Sequence, residues 1–166
     1  MKRRDFALAA CSAAASRFAW AQPAAIQWPA VQLLDGRTLA PYSWRGQAAV
    51  VVFWETYCPY CKRHNAHIDK LYRNLLNQQT QSMRVLGVAL DADEAAVRRY
   101  VAANQFSFPV TLDGGVLRQR FTQRRVIPMT CLLDAQGRLM QAIAGEMAED
   151  DVMELARLST QSAKPI

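Results

Sequence analysis

Hydrophobic positions along this chain follow two periods, and the change from one to the other falls at Cys58. From Ala49 to Trp54 the apolar run is unbroken, β-branched and aromatic, as in a strand buried on both faces. From Pro59 the spacing becomes helical, with Ile68, Leu71, Tyr72, Leu75 and Leu76 on one stripe. Pro59 fits the first helical position, where a missing N–H costs nothing. The pattern therefore predicts a strand running into a helix that ends near Gln78–Gln81. Cys58 falls at or beside the helix N-cap and Cys61 one turn in.

The remaining elements follow from the same patterns. Val31–Leu33 and Thr38–Leu39 flank the turn dipeptide Asp35-Gly36 and read as a hairpin. Met83 to Leu90 is a second strand, after which Asp93 caps a helix of about a dozen residues with Val97, Tyr100 and Val101 inward. Phe108 to Leu112 is a short extended piece, and Gly114-Gly115 opens a brief helix to Phe121. Val126 to Asp134 is a strand entered through an Ile127-Pro128 bond. A turn at Asp134–Gly137 joins it to a partner strand over Leu139–Ala144. An amphipathic helix over Glu149–Leu158 closes the fold, and the tail 159–166 is expected to fray. This order predicts an α/β domain over residues 30–158, a mixed sheet with helices on both faces.

The N-terminus stands outside that pattern. Lys2-Arg3-Arg4, a short apolar stretch from Phe6 to Ala15, and Ala19-Trp20-Ala21 before Gln22 have the layout of a cleaved export signal. Arg3-Arg4-Asp5-Phe6-Ala7-Leu8 gives it a twin-arginine character. The expectation is a signal over 1–21, a linker over 22–29 and a periplasmic mature chain with no stable membrane span. Two alternatives stay open: a lipid anchor on Cys11, and an uncleaved anchor. The formal charge of the whole chain is +6. Loss of Lys2, Arg3, Arg4, Arg17 and Asp5 would leave +3, so the basic balance belongs largely to the signal and does not argue for nucleic acid.

The mature part keeps three cysteines, Cys58, Cys61 and Cys131. A C-x-x-C at a strand-to-helix junction points to a redox pair. The helix N-terminus favours a thiolate at Cys58, expected to be the exposed nucleophile, while Cys61 resolves. A structural disulfide is the weaker alternative, because so short a loop removes little chain entropy. Cys58, Cys61, His64 and His67 share a three-residue spacing that suggests zinc. On one helix, however, the outer two lie about 13 Å apart along the axis, too far for one tetrahedral ion. A Cu(I) carrier using Cys58, Cys61 and His64 or His67 remains the rival class, since thiolates select that ion. Cys131, in a strand, reads as a small inert hydrophobe. Arg118, Arg120, Arg124 and Arg125 read either as solvated side chains or as a basic rim that steers acidic substrates.

At Leu34-Asp35-Gly36-Arg37, Phe53-Trp54-x-x-Tyr57-Cys58-x-x-Cys61-Lys62, Val126-Ile127-Pro128-x-Thr130 and Asp134-x-x-Gly137-Arg138, the chain resembles the thioredoxin superfamily. Within it, the resemblance is to the exported TlpA/ResA/CcmG-like thiol-disulfide oxidoreductases. That implies a thioredoxin-like fold with an added N-terminal β-hairpin, and a cis bond at Ile127-Pro128 facing the cysteines. Tyr57, Pro59, Tyr60, Ile127 and Pro128 would receive the substrate chain. Tyr57 stands where Trp is commoner, and Val52 stands where cytoplasmic thioredoxins bury an acid. His64 takes a place where many relatives carry Glu. Glu55 and His64 are therefore the candidate proton acceptors, each with a plainer reading as a solvated or capping residue. The implied activity is reduction of protein disulfides, in cytochrome c or metal-site maturation, by a monomer that a membrane-bound donor recharges. No cofactor or metal is expected. A disulfide-forming oxidant of the same fold is the alternative direction.

Overall fold

The computed structural model describes residues 24–78 and 83–161. The expected signal, the first two residues of the expected linker and the last five of the tail lie outside the described residues.

All seven residues of strand β3, Ala48–Trp54, are buried. Burying each large apolar side chain stabilises by about 1.5–3 kcal/mol, so this strand is the natural centre of the sheet. β4 (Met83–Ala89) pairs with it in parallel, and β6 (Met129–Leu133) pairs antiparallel on its other side. β5 (Val110–Thr111) and β7 (Leu139–Ala144) add the edges, giving the order β5-β4-β3-β6-β7. The mixed sheet is thus of the expected kind.

Alternation along β3 feeds two cores. Val50, Val52 and Trp54 face the helices α1 (Pro59–Asn77), α2 (Glu94–Ala103) and α4 (Glu149–Gln161). Ala49, Val51 and Phe53 face α3 (Gly114–Phe121) and the hairpin of β1 (Val31–Gln32) and β2 (Thr38–Leu39). The hairpin is a separate two-stranded sheet turned at Gly36, whose φ of 87° suits glycine. It docks through a bridge from Leu33 to Thr111 and a hydrogen bond from Leu34 N–H to the Val110 carbonyl, 2.8 Å.

Four details depart from expectation. Leu76 is 56% exposed, because the α1 stripe that meets the sheet runs through Ile68, Leu71 and Leu75 and turns away before it. α4 continues past Leu158 to Gln161. β6 starts at Met129, since Pro128 has no N–H for a ladder. The described part of the expected linker is docked: Ala25 bridges Arg138, and Trp28 packs its ring on Trp44 and Phe121.

Candidate active site

β3 delivers the chain to the site and Pro59 starts the helix. Between them the loop is held from below by Asp91, at the end of β4. Its carboxylate accepts from Thr56 N–H at 3.1 and 3.2 Å and from Thr56 Oγ1 at 2.6 Å. Cys58 N–H donates to the Glu55 carbonyl at 3.3 Å. Cys58 is then the N-cap of α1, in extended conformation, and its sulfur accepts the Cys61 N–H at 3.2 Å. An N-cap normally offers an oxygen to this otherwise unpartnered donor. Here a sulfur takes that place at the positive end of the helix.

The two sulfurs differ in access. Both cysteines are free thiols. Cys58 keeps 9% exposure and Cys61 none. The expectation of an exposed Cys58 is corrected to this extent: its sulfur tucks under the first turn and joins the core cluster with Trp54 and Ile68. Burial, then the hydrogen bond with Cys58, pushes the Cys61 thiol up to about 12, while a weaker backbone bond from Glu55 pulls it down. Cys131 lies on the opposite face of the sheet from the pair, and burial alone pushes it up to about 12.

His64 is neither solvated nor capping. It is fully buried, with Met147 N–H donating to Nδ1 at 3.2 Å and Nε2 beside Thr130 Oγ1 at 2.8 Å. Because Nδ1 accepts, the proton sits on Nε2 and donates to the threonine hydroxyl. Burial, then His67, lowers its pKa to about 4, so the ring is neutral near pH 7. Thr130 stands opposite Val52 in the β3–β6 ladder. Thus the buried polar pair at this level of the sheet comes from α1 and β6, while the β3 position carries valine. His67 meets the Met147 carbonyl through Nδ1 at 3.1 Å. Among the described residues no cluster of three or more His, Cys, Asp or Glu could hold a metal. The two histidines that a copper carrier would use are thus engaged with Thr130 and Met147.

The rim is aromatic. Tyr57 is 76% exposed and Tyr60 58%, with the Arg63 guanidinium 5.1 Å from the Tyr60 ring centre. Arg63 is fixed by a two-point contact with Glu146, at 2.8 and 2.5 Å. The Tyr57 hydroxyl bonds the Glu55 carboxylate, which holds the phenol above its ordinary range. Phe53 pairs with Met129, so residues 54–58 and 124–128 leave the sheet at one end. There the Ile127-Pro128 bond is cis, Ile127 is half-buried and Pro128 is buried. Sequence reasoning missed Asp91, two residues past the end of β4 and masked by the Asp93 cap signal that follows it. It also missed that Thr130 partners His64, although Thr130 belongs to the motif after Pro128.

A sheet that carries a Cys-x-x-Cys onto a helix N-terminus, one cysteine slightly exposed and one fully enclosed, defines a thioredoxin-like thiol-disulfide oxidoreductase. The chain belongs to the AhpC/TSA family, whose profile matches residues 25–142. Thiol-disulfide oxidoreductase ResA of Halalkalibacterium halodurans is 30% identical over 125 residues, 75% of this chain and 69% of its own. ResA of Bacillus thuringiensis is 28% identical over 132 residues, covering 76% and 72%. Among solved structures, StoA from Bacillus subtilis matches with a TM-score of 0.68 and 24% identity, over 80% of this chain and 98% of that one. A thiol:disulfide interchange protein from Chlorobium tepidum matches at 0.75 and 20%, over 84% and 97%. At these identities the two structures speak for the fold.

Proposed function

We propose that this protein reduces disulfides in exported polypeptides, with Cys58 as nucleophile and Cys61 as resolving thiol. The observation that supports it most is the 3.2 Å hydrogen bond from Cys61 N–H to the Cys58 sulfur at the N-cap of α1. The Cys58 thiolate attacks one sulfur of a substrate disulfide. The S–S bond breaks, a mixed disulfide forms and the first substrate thiolate leaves and takes up a proton. Cys61 then loses its proton and attacks Cys58, which releases the second substrate thiol. The substrate gains two electrons and two protons, and the chain is left with a Cys58–Cys61 disulfide that an external dithiol donor must reduce. Glu55, whose charge acts on the Cys61 thiol, is the candidate acceptor of its proton, since both ring nitrogens of His64 are held by Thr130 and Met147. Tyr57, Pro59, Tyr60, Ile127 and Pro128 form the surface against which the substrate chain lies.

The signal-like layout of residues 1–21 supports a periplasmic setting, and the relatives named thiol-disulfide oxidoreductase ResA support exchange between thiols and disulfides. Cytochrome c and metal-site cysteines are the substrates that setting suggests. The test of direction is the reduction potential of Cys58–Cys61 in thiol redox buffers. A reductase should fall at or below about −230 mV, in the range of glutaredoxins and thioredoxin, whereas a value near about −120 mV would mark an oxidant.

A further inference from the structure

The stretch between Asp113 and Asp134 carries four arginines, Arg118, Arg120, Arg124 and Arg125, and no acidic residue. The fold brings this stretch to the cysteine end of the sheet. Arg118 and Arg125 line a groove of about 410 Å³ with Gly114, Gly115, Thr122 and Glu55. Glu55 ties that groove to the site, since its carbonyl accepts the Cys58 N–H. Arg118 donates through Nε and Nη2 to the Arg124 carbonyl, at 3.2 and 2.8 Å, and so fixes the loop that presents Arg125. Arg120, Arg124 and Arg125 are exposed.

Elsewhere most exposed arginines have carboxylate partners, Arg45 excepted among the described residues. Arg37 meets Asp35, Arg63 meets Glu146, Arg73 meets Asp69 and Arg98 meets Glu94. Among the described residues none of the four arginines of this stretch does so. Glu55 is the single acid on the groove wall. The groove is therefore a concave, net-positive surface, two arginines against one acid, on which the exposed Arg125 has no carboxylate partner among the described residues and Arg118 is held by the Arg124 carbonyl.

We propose that this groove receives an acidic segment of the substrate polypeptide, adjoining the cysteine that Cys58 attacks. The proposal rests on the assignment of Cys58 as nucleophile and adds the substrate class to it. Guanidinium groups match carboxylates two bonds at a time, which fixes register as well as charge. At an exposed site the larger effect is on encounter: like-signed field lines in a cleft raise the capture rate of oppositely charged chains and decay with salt. The position of the groove favours a substrate chain over a lipid surface. It is concave, and Glu55 on its wall lies three residues from Cys58 in the loop that carries the cysteine, so a chain that fills it runs toward the reacting end of the sheet.

The test uses the reduced full chain and disulfide-bridged peptides that differ only in the residues beside the cysteine: aspartate, serine or lysine. In low salt, where charges act over about 30 Å, the aspartate peptide should exceed the lysine peptide in kcat/KM by about tenfold. Near physiological salt, with a reach of about 8 Å, that ratio should shrink several-fold. In an Arg118→Glu, Arg125→Glu double variant the ratio should fall to about one or invert. Reading the ratio within each variant cancels a general loss of activity. Arg125→Glu alone, at an exposed side chain, should lower the ratio even if the double variant does not fold. Equal rates for the two peptides in low salt overturn the proposal, as does a ratio unmoved by Arg125→Glu. So does a result in which Arg125→Glu abolishes binding to anionic phosphatidylglycerol vesicles while the peptide ratio stands. If no peptide is reduced at all, the oxidoreductase assignment itself fails and takes this one with it.

Discussion

At the scale of single residues, position in the fold gives each titratable group its task. Cys58 and Cys61 are three residues apart, yet one keeps some access to solvent and the other is enclosed and pushed up to about 12. A thiol so high stays protonated until a partner takes its proton, which keeps the dithiol form intact between encounters. His64 follows the same logic with opposite charge. Burial lowers it to about 4, against about 6.5 in an unfolded chain. Between those values the unfolded chain binds a proton that the folded chain refuses, so stability is full above about pH 6.5 and falls as the pH drops toward 4. The loss should reach about 3 kcal/mol. Urea unfolding between about pH 7 and pH 4 checks it: His64→Asn, whose Oδ1 can still accept from Met147 N–H, should be less stable at neutral pH but show a shallower slope. An unchanged slope would assign the acid sensitivity elsewhere. The histidine was legible in the sequence only as a polar residue beside the motif. Its partner Thr130 lies 66 positions away, and no local pattern announces such a pairing.

At the scale of elements, the sequence was read best where a period and a punctuating residue agree. Asp93 caps α2 through a bond to Ala96 N–H at 3.1 Å, and β7 runs over Leu139–Ala144 as its pattern says. The end of α4 shifted to Gln161, because a helix terminus with no Gly or Pro stop depends on tertiary packing more than on local sequence. An aromatic row was invisible altogether. Trp54 stacks on Tyr100, Tyr100 meets Phe106 edge-on, and Phe106 stacks on Phe108, with centres 5.2, 6.0 and 5.6 Å apart. These rings come from β3, α2 and the loop before β5, and Gly87 on β4 makes room for them. A Cβ at Gly87 would stand 2.5 Å from Phe108 Cε2 and 3.0 Å from Trp54 Nε1. Gly87→Ala should therefore destabilise the protein by about 1–3 kcal/mol in chemical denaturation, despite the better strand propensity of alanine. A neutral or stabilising result would mean that the row yields without cost.

At the scale of the whole molecule, the continuous apolar run of β3 announced a doubly covered sheet, and the two cores on its faces follow from strict alternation along it. Which helices share a face was not legible, because amphipathic stripes say that a helix is covered and not by what. The same limit hid the groove: Arg118 and Arg125 are seven residues apart, and only the crossing from α3 to β6 sets them beside Glu55. The central claim is the proposed division of labour between the two sulfurs, argued from the slight exposure that Cys58 keeps and Cys61 lacks. The direct measurement is covalent capture. Cys61→Ser and Cys58→Ser variants are incubated with periplasmic extract and compared on gels without and with reductant. Cys61→Ser should hold reducible adducts on Cys58, because no thiol remains to release them, and Cys58→Ser should hold almost none. Adducts on the Cys58→Ser variant and none on the Cys61→Ser variant would contradict the account.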